Sequence, residues 1–364
     1  MKRHYNIPVF LPHAACPFRC VFCDQHLITA QENVPSPQEV DGILRETLST
    51  IPEGAEVEAA FFGGSFTALD AAVQESYLAV VQPWLASGRI QSIRISTRPD
   101  CIDETVLRRL AQYHVKVIEL GIQSFDAEVL HASGRGYTPE TAEAACRSIR
   151  EAGFLLGVQL MPGLPRDTME KCMASARKTV ELKADMVRIY PTVVLKGTAL
   201  ARMMADGRYQ ALSVEQAVEI SGEMRLLFDR AQIPVIRLGL YAGEDLQNAE
   251  NICGGAFHPA LGELVEQKIF LEQTEMLLEE YRRTEPGNAP LVFYVNRRDL
   301  SKFMGQKRKN RQILQEKCGG CAMRVQGLEA NDRDWVGIGP EGTEQPVRRL
   351  TRMEYLKQKE SGER

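Results

Sequence analysis

Three cysteines stand close together near the start of the chain, in Cys16-Pro17-Phe18-Arg19-Cys20-Val21-Phe22-Cys23. The spacing is Cys-x-x-x-Cys-x-x-Cys, and three thiolates so placed can ligate three corners of one iron–sulfur cube. The remaining iron has no protein ligand from this motif and is free to chelate a substrate or cofactor. Zinc is the rival reading, but structural zinc takes four protein ligands, and no fourth Cys or His follows at finger spacing. A glycine pair in Phe61-Phe62-Gly63-Gly64-Ser65 is a second candidate, because backbone without side chains lets a ligand approach its N–H and C=O groups. A third is the set Cys253, Cys318 and Cys321, in which Cys318-Gly319-Gly320-Cys321 reads as a redox pair or, joined by Cys253, as a second metal site.

These groups need a scaffold, and the chain reads as βα units. Strands are expected at Ile7 to Leu11, Val57 to Phe62, Ser92 to Ser96, Val115 to Leu120, Leu155 to Leu160 and Met186 to Tyr190, with Pro234 to Leu238 as a candidate seventh. Helical patterns fill the gaps, some opened by a hydroxyl cap and a proline, as in Ser36-Pro37-Gln38-Glu39 and Thr138-Pro139-Glu140. The alternation predicts an α/β fold, a partial (β/α)6-type barrel, with chemistry in the loops that follow the strands. The cysteine loop follows the first strand and the glycine pair the second.

Composition agrees. The chain has 364 residues, 44 Lys+Arg against 48 Asp+Glu, 44% hydrophobic and 25% charged residues, which are ordinary globular values and exclude disorder, collagen and coiled coil. Such a length predicts one large domain with a smaller appendage, or two domains. No stretch reaches the roughly 18 apolar residues of a membrane span, and the opening residues do not read as a signal peptide, so a cytoplasmic protein without membrane association is expected. Nine cysteines, an odd number, then fit reduced thiols better than disulfides.

The cysteine motif with Phe22 in its aromatic slot, followed by the glycine pair, resembles the radical S-adenosylmethionine (SAM) superfamily. That resemblance implies a [4Fe-4S] cluster on Cys16, Cys20 and Cys23, with Phe22 near the adenine of SAM and Gly63 and Gly64 at its methionine amino group. It also implies reductive cleavage of SAM to a 5′-deoxyadenosyl radical, driven by a donor such as flavodoxin or ferredoxin. Ser96-Thr97-Arg98-Pro99-Asp100, Glu119 to Ser124, Gly134 to Thr138, Gln159 to Pro165 and Arg188 to Thr192 resemble the radical SAM domain of the Elongator catalytic subunit. From this, Ser96, Thr97, Gln123, Gln159 and Arg188 are expected to contact SAM or substrate, and tRNA is the expected substrate. Tyr137 and Tyr190 are candidate hydrogen-atom donors by position. No acyl-CoA pyrophosphate loop is found, so acetyl transfer is not carried over. A small molecule or tetrapyrrole substrate, and a non-catalytic iron–sulfur RNA-binding or sensor protein, are the alternatives.

A barrel core is expected over residues 1–240 and a small α+β extension over 241–364, with a helix at Leu261 to Arg283 and a strand at Leu291 to Val295. Within the extension, residues 296–317 carry eight basic residues (Arg297, Arg298, Lys302, Lys307, Arg308, Lys309, Arg311 and Lys317) against two acidic ones, in a chain of formal charge −4. A local basic patch on an acidic protein suits a reader of phosphate backbone. Phe293, Tyr294 and Phe303 are the nearby candidates for stacking on bases. A solvated basic surface is the alternative.

Overall fold

A computed structural model describes the chain except residues 1–3, 13–14, 30–32, 241–248, 286, 288, 320–321 and 363–364. Cys321 therefore lies outside the described residues. Two compact units are present: residues 1–217 with 233–259, and residues 218–232 with 260–364.

In the first unit the strands are β1 (His4–Phe10), β2 (Glu56–Phe62), β3 (Ser92–Thr97), β4 (Val115–Gln123), β5 (Leu155–Leu160), β6 (Met186–Ile189), β7 (Val193–Leu195), β8 (Val235–Leu238) and β9 (Ile252–Gly255). Seven form one parallel sheet in the order β1-β2-β3-β4-β5-β6-β8, an open half-barrel whose successive strands are neighbours. The seventh strand thus joins the sheet. The helices between strands are α1 (Gln25–Thr29), α2 (Pro37–Thr50), α3 (Ala71–Ala86), α4 (Glu104–Gln112), α5 (Ala127–Ala132), α6 (Pro139–Glu151), α7 (Met169–Glu181), α8 (Ala199–Ala205) and α9 (Val214–Arg230). The capping signals act locally: Glu39 N–H donates to Ser36 Oγ while Ser36 N–H donates to Glu39 Oε2, which closes a capping box at α2. Thr138 caps α6 in the same sense, accepting from Thr141 N–H.

β4 runs further than its apolar pattern suggested, to Gln123, because a register shift between Gly121 and Gln123 lets polar residues stay in the strand. The pair β7 and β9 was not foreseen. Its antiparallel ladder holds residues 252–255 to the first unit, whereas a single cut at 240 would separate them.

The sheet carries a buried band of charge. Arg94 on β3 donates from Nε and Nη2 to Glu58 Oε2 at 3.0 and 2.7 Å, and from Nη1 to Glu119 Oε1 at 2.5 Å. Arg188 on β6 donates to both oxygens of Glu119, at 2.6 and 3.1 Å. Glu58, Arg94 and Glu119 are each about 5% exposed. Burial pushes the Glu58 carboxyl up, but Arg94 and the Ser92 hydroxyl outweigh it, and its pKa is lowered.

The second unit takes residues 218–232, which include α9 from 218 to its end, then α10 (Leu261–Thr284), β10 (Leu291–Asn296), α11 (Leu300–Met304), α12 (Lys309–Lys317), β11 (Met323–Leu328), β12 (Trp335–Pro340), β13 (Arg348–Thr351) and α13 (Arg352–Ser361). The sheet order is β11-β10-β12-β13, with β10 parallel to β11 and antiparallel to β12. Ion pairs of Arg225 with Glu266 and of Arg352 with Asp229 and Glu266 tie the end of α9 to this unit. Phe293, Tyr294 and Phe303 are at most 1% exposed. Strand β10 turns both of its faces inward, so these rings build the core and are not free to stack on bases.

Arg94→Met is expected to cost about 3–5 kcal/mol at pH 7, the usual effect of leaving buried carboxylates unpaired. Because the folded pKa of Glu58 is depressed, its contribution is full above the unfolded-state pKa and is lost as pH falls through the folded value. The gap between wild type and variant in urea unfolding should therefore shrink on acidification. An equal gap at pH 7 and pH 3 would contradict this account.

Candidate active site

At the C-terminal ends of the strands the first unit opens into a cavity of 940 Å³, at the upper end of the range for ligand pockets. Cys16, Cys20, Phe22 and Cys23 line it from the loop after β1, and Gly63 and Gly64 from the end of β2. Ser96 and Thr97 come from β3, Gln123 from β4, Gln159 from β5 and Arg188 from β6. The fold thus brings all eleven of these residues to one space.

The cysteine loop is anchored at its backbone. Val21 N–H donates to Ser133 O at 3.1 Å, Leu200 N–H donates to Val21 O at 2.8 Å, and Cys23 N–H closes a turn onto Cys20 O at 3.1 Å. Cys20 and Phe22 pack into an apolar cluster with Val129, Leu164, Val194 and Leu200. Burial first, then the nearby Cys20 and Cys16, push the Cys23 thiol up to about 12, and burial also raises Cys16. Thiols crowded in this way are matched to a cationic core that replaces their protons. Among the described residues Glu219, Glu223 and Glu272 also bring three candidate ligand atoms within 4.8 Å of one another, but Lys268 already pairs with all three.

Cys20 also has cationic neighbours that its spacing could not reveal. Arg135 donates from Nη1 to Cys20 Sγ at 3.1 Å, and Arg98 from Nη1 at 3.7 Å. Arg98 is paired through two nitrogens with Asp100, each at 3.0 Å. Both arginines stand in segments singled out in the sequence, but nothing in a linear pattern connects them to a cysteine. The cavity has further charge: Arg19, Arg98, Arg135, Arg188, Arg202 and Arg237 line it, against the carboxylates Asp24 and Glu119. An anionic ligand suits such a lining.

Several side chains are committed to protein partners. Thr97 Oγ1 bonds the hydroxyls of Ser65 and Thr67 at 3.0 and 2.6 Å, so its oxygen ties β3 to the segment after the glycines. Gln159 Nε2 donates to Gln123 Oε1 at 3.1 Å. Gly64 N–H donates to Gln25 Oε1 at 2.6 Å, which links the pair to α1. Tyr137 is buried and donates to Gly121 O and Ile122 O, an anchoring role; Tyr190 lines the cavity and accepts from Arg188.

The second cysteine set is not assembled in one unit. Cys253 is exposed on β9 of the first unit, Cys318 is buried at the end of α12 in the second, and Cys321 is outside the described residues. The basic segment divides. Arg297 pairs with Glu329, Lys302 with Glu266, Asp299 and Asp334, and Lys317 with Glu275. Among the described residues no carboxylate forms an ion pair with Arg298, Lys307, Arg308, Lys309 or Arg311.

Gly63 has φ +78°, and a Cβ there would stand 3.3 Å from Leu11 O, just before the cysteine loop. Gly63→Ala is expected to cost about 1–2 kcal/mol from the left-handed conformation alone, read from urea unfolding. No loss would mean that the loop yields freely at this point.

Residues 11–178 match the Radical SAM superfamily, and residues 184–270 match the radical SAM C-terminal domain. The tRNA uridine(34) acetyltransferase of Methanocaldococcus jannaschii is 33% identical over 37% of this chain and 26% of its own length. Elongator complex protein 3 of Saccharomyces cerevisiae is 26% identical over 45% of this chain and 33% of its own. The chain thus spans a third or less of these two curated relatives. The solved structure of archaeal Methanocaldococcus infernus Elp3 with an N-terminal deletion has the same fold, with a TM-score of 0.58 and 20% identity over 74% of this chain and 63% of that one. No helix among the described residues is long and apolar enough to cross a membrane. With its half-barrel, its cysteine loop after the first strand and two radical SAM domain matches in chain order over residues 11–178 and 184–270, the chain belongs to the radical SAM superfamily.

Proposed function

We propose that this enzyme binds a [4Fe-4S] cluster through Cys16, Cys20 and Cys23, cleaves SAM reductively and uses the radical to modify an RNA, with tRNA as the substrate. The observation that carries the radical chemistry is the meeting of the three cysteines and the glycine pair in one arginine-lined cavity at the strand ends. The tRNA reading draws support from relatives named as tRNA uridine(34) acetyltransferases. When bound, the cluster and SAM supply the one-electron chemistry, with flavodoxin or ferredoxin as the donor class.

The chain's own part is binding, orientation and exclusion of water. Gly63 and Gly64 leave backbone open to the methionine moiety, and Phe22 offers an apolar surface beside the cysteines. Ser96 and the Gln123–Gln159 amide pair present polar groups to the cavity, while Thr97 holds the wall behind them. Arg188 is held by Glu119 and Tyr190, which fixes its guanidinium in the wall of the cavity. In the second unit, Arg298, Lys307, Arg308, Lys309 and Arg311 are the cations left for a phosphate backbone, while Arg297 and Lys302 serve largely in ion pairs.

Anaerobic loading with iron and sulfide should give about four irons per chain. Dithionite reduction with SAM should then release 5′-deoxyadenosine, faster when bulk tRNA is present. Cys20→Ala should abolish this release, and release at the wild-type rate would overturn the cluster assignment. Cleavage indifferent to tRNA would direct the search to small molecules or tetrapyrroles, and a loaded cluster without cleavage would favour a sensor.

Binding of tRNA should weaken steeply with salt. Replacing Lys307, Arg308, Lys309 and Arg311 by alanine should lower the slope of log K against log salt by about one for each phosphate that is no longer neutralised. An unchanged slope would remove this segment from the RNA interface.

A further inference from the structure

A buried guanidinium requires an opposite charge, and the arginines of the first unit show how that requirement is met. Arg94 faces Glu58 and Glu119, Arg98 faces Asp100, and Arg188 faces Glu119. Arg135 is the exception. It is 5% exposed, and among the described residues no carboxylate pairs with it. Its donors go to Tyr137 Oη at 3.0 Å, to Gly121 O and to Cys20 Sγ at 3.1 Å. The cysteine sulfur is the one partner in that set that becomes anionic on binding a metal.

The seat of this guanidinium is fixed in direction. Tyr137 is itself held by Gly121 O and Ile122 O at the end of β4, at 2.9 and 2.8 Å. The Arg135 carbonyl accepts from Arg98, whose guanidinium lies 5.1 Å from the Phe18 ring. Gly136, at φ +77°, admits that ring, because a Cβ there would lie 2.5 Å from it.

Resting on the cluster reading above, we infer that Arg135 is the buried countercharge of the cluster, holding the Cys20 thiolate and raising the cluster's reduction potential. Reduction adds one electron from a low-potential donor to the oxidised cube; no bond forms or breaks, and one unit of negative charge is added. A fixed positive charge at a ligand sulfur favours the more negative state, and hydrogen bonds to ligand sulfur act in the same direction. Arg98 adds less, because Asp100 neutralises it and its nitrogen is further from the sulfur. Arg135 is therefore a tuning residue that acts through Cys20, with no contact to substrate required.

The test is a redox titration of the reconstituted protein without SAM, followed by electron paramagnetic resonance of the reduced cluster, with iron counted per chain. Arg135→Gln should lower the ratio of reduced to oxidised cluster at a fixed potential at least tenfold, a midpoint shift of about 59 mV or more downward. Arg135→Lys, which keeps the charge, should recover most of it. Asp100→Asn, which frees the Arg98 charge, should move the midpoint upward, and it decides the matter if Arg135→Gln does not take up iron. Equal midpoints for wild type and a loaded Arg135→Gln, or no upward shift in Asp100→Asn when Arg135→Gln stays empty, would overturn the inference. A wild-type protein that takes up no iron would instead overturn the cluster reading itself.

Discussion

Burial of charge is the constraint on which the first unit depends. Glu58, Arg94, Glu119 and Arg188 come from four strands and meet across the sheet, each tolerable there because its neighbour carries the opposite sign. Glu119 is the hinge of this arrangement. One of its oxygens serves both Arg94 and Arg188, so the polar band in the sheet is continuous with the wall of the cavity. A parallel sheet of apolar strands would close its interior with side chains; this one turns charge inward and keeps its upper end open to a ligand.

The same rule organises the cysteine loop. Two arginines carried on later segments point at one sulfur, and only one of them has a carboxylate of its own among the described residues. Their aromatic neighbours Phe18 and Tyr137 cover the guanidinium faces and limit the reach of water. Low local dielectric strengthens whatever charge interaction occurs there.

In the second unit the division between structural and available charge is sharp. Asp299 is fully buried and draws Arg333 and Lys302 into a network, while Arg352 is shared by Asp229 and Glu266. Cations so engaged contribute little to a passing phosphate. Those on the run from Lys307 to Arg311 form no such pairs with the described residues. Lys307 and Arg308 both adopt positive φ, at 54° and 61°, where the chain turns into α12.

The strands, the capped helices and the motif that marks the family were legible in the sequence, because each rests on neighbours in the chain: short β-rich apolar runs, a hydroxyl followed by proline, cysteines at fixed spacing. Gly63 and Gly64 were legible for the same reason, standing next to a strand end. What the sequence could not decide was pairing across distance. Arg135 meets Cys20 from 115 positions away and Arg98 from 78, and no local pattern encodes which guanidinium the barrel will turn toward which sulfur. The aromatic residues of the basic segment illustrate the same limit. Phe293, Tyr294 and Phe303 were candidates for stacking on bases, and only the tertiary packing of β10 and α11 placed them inside, where removing apolar area from water outweighs any use at the surface.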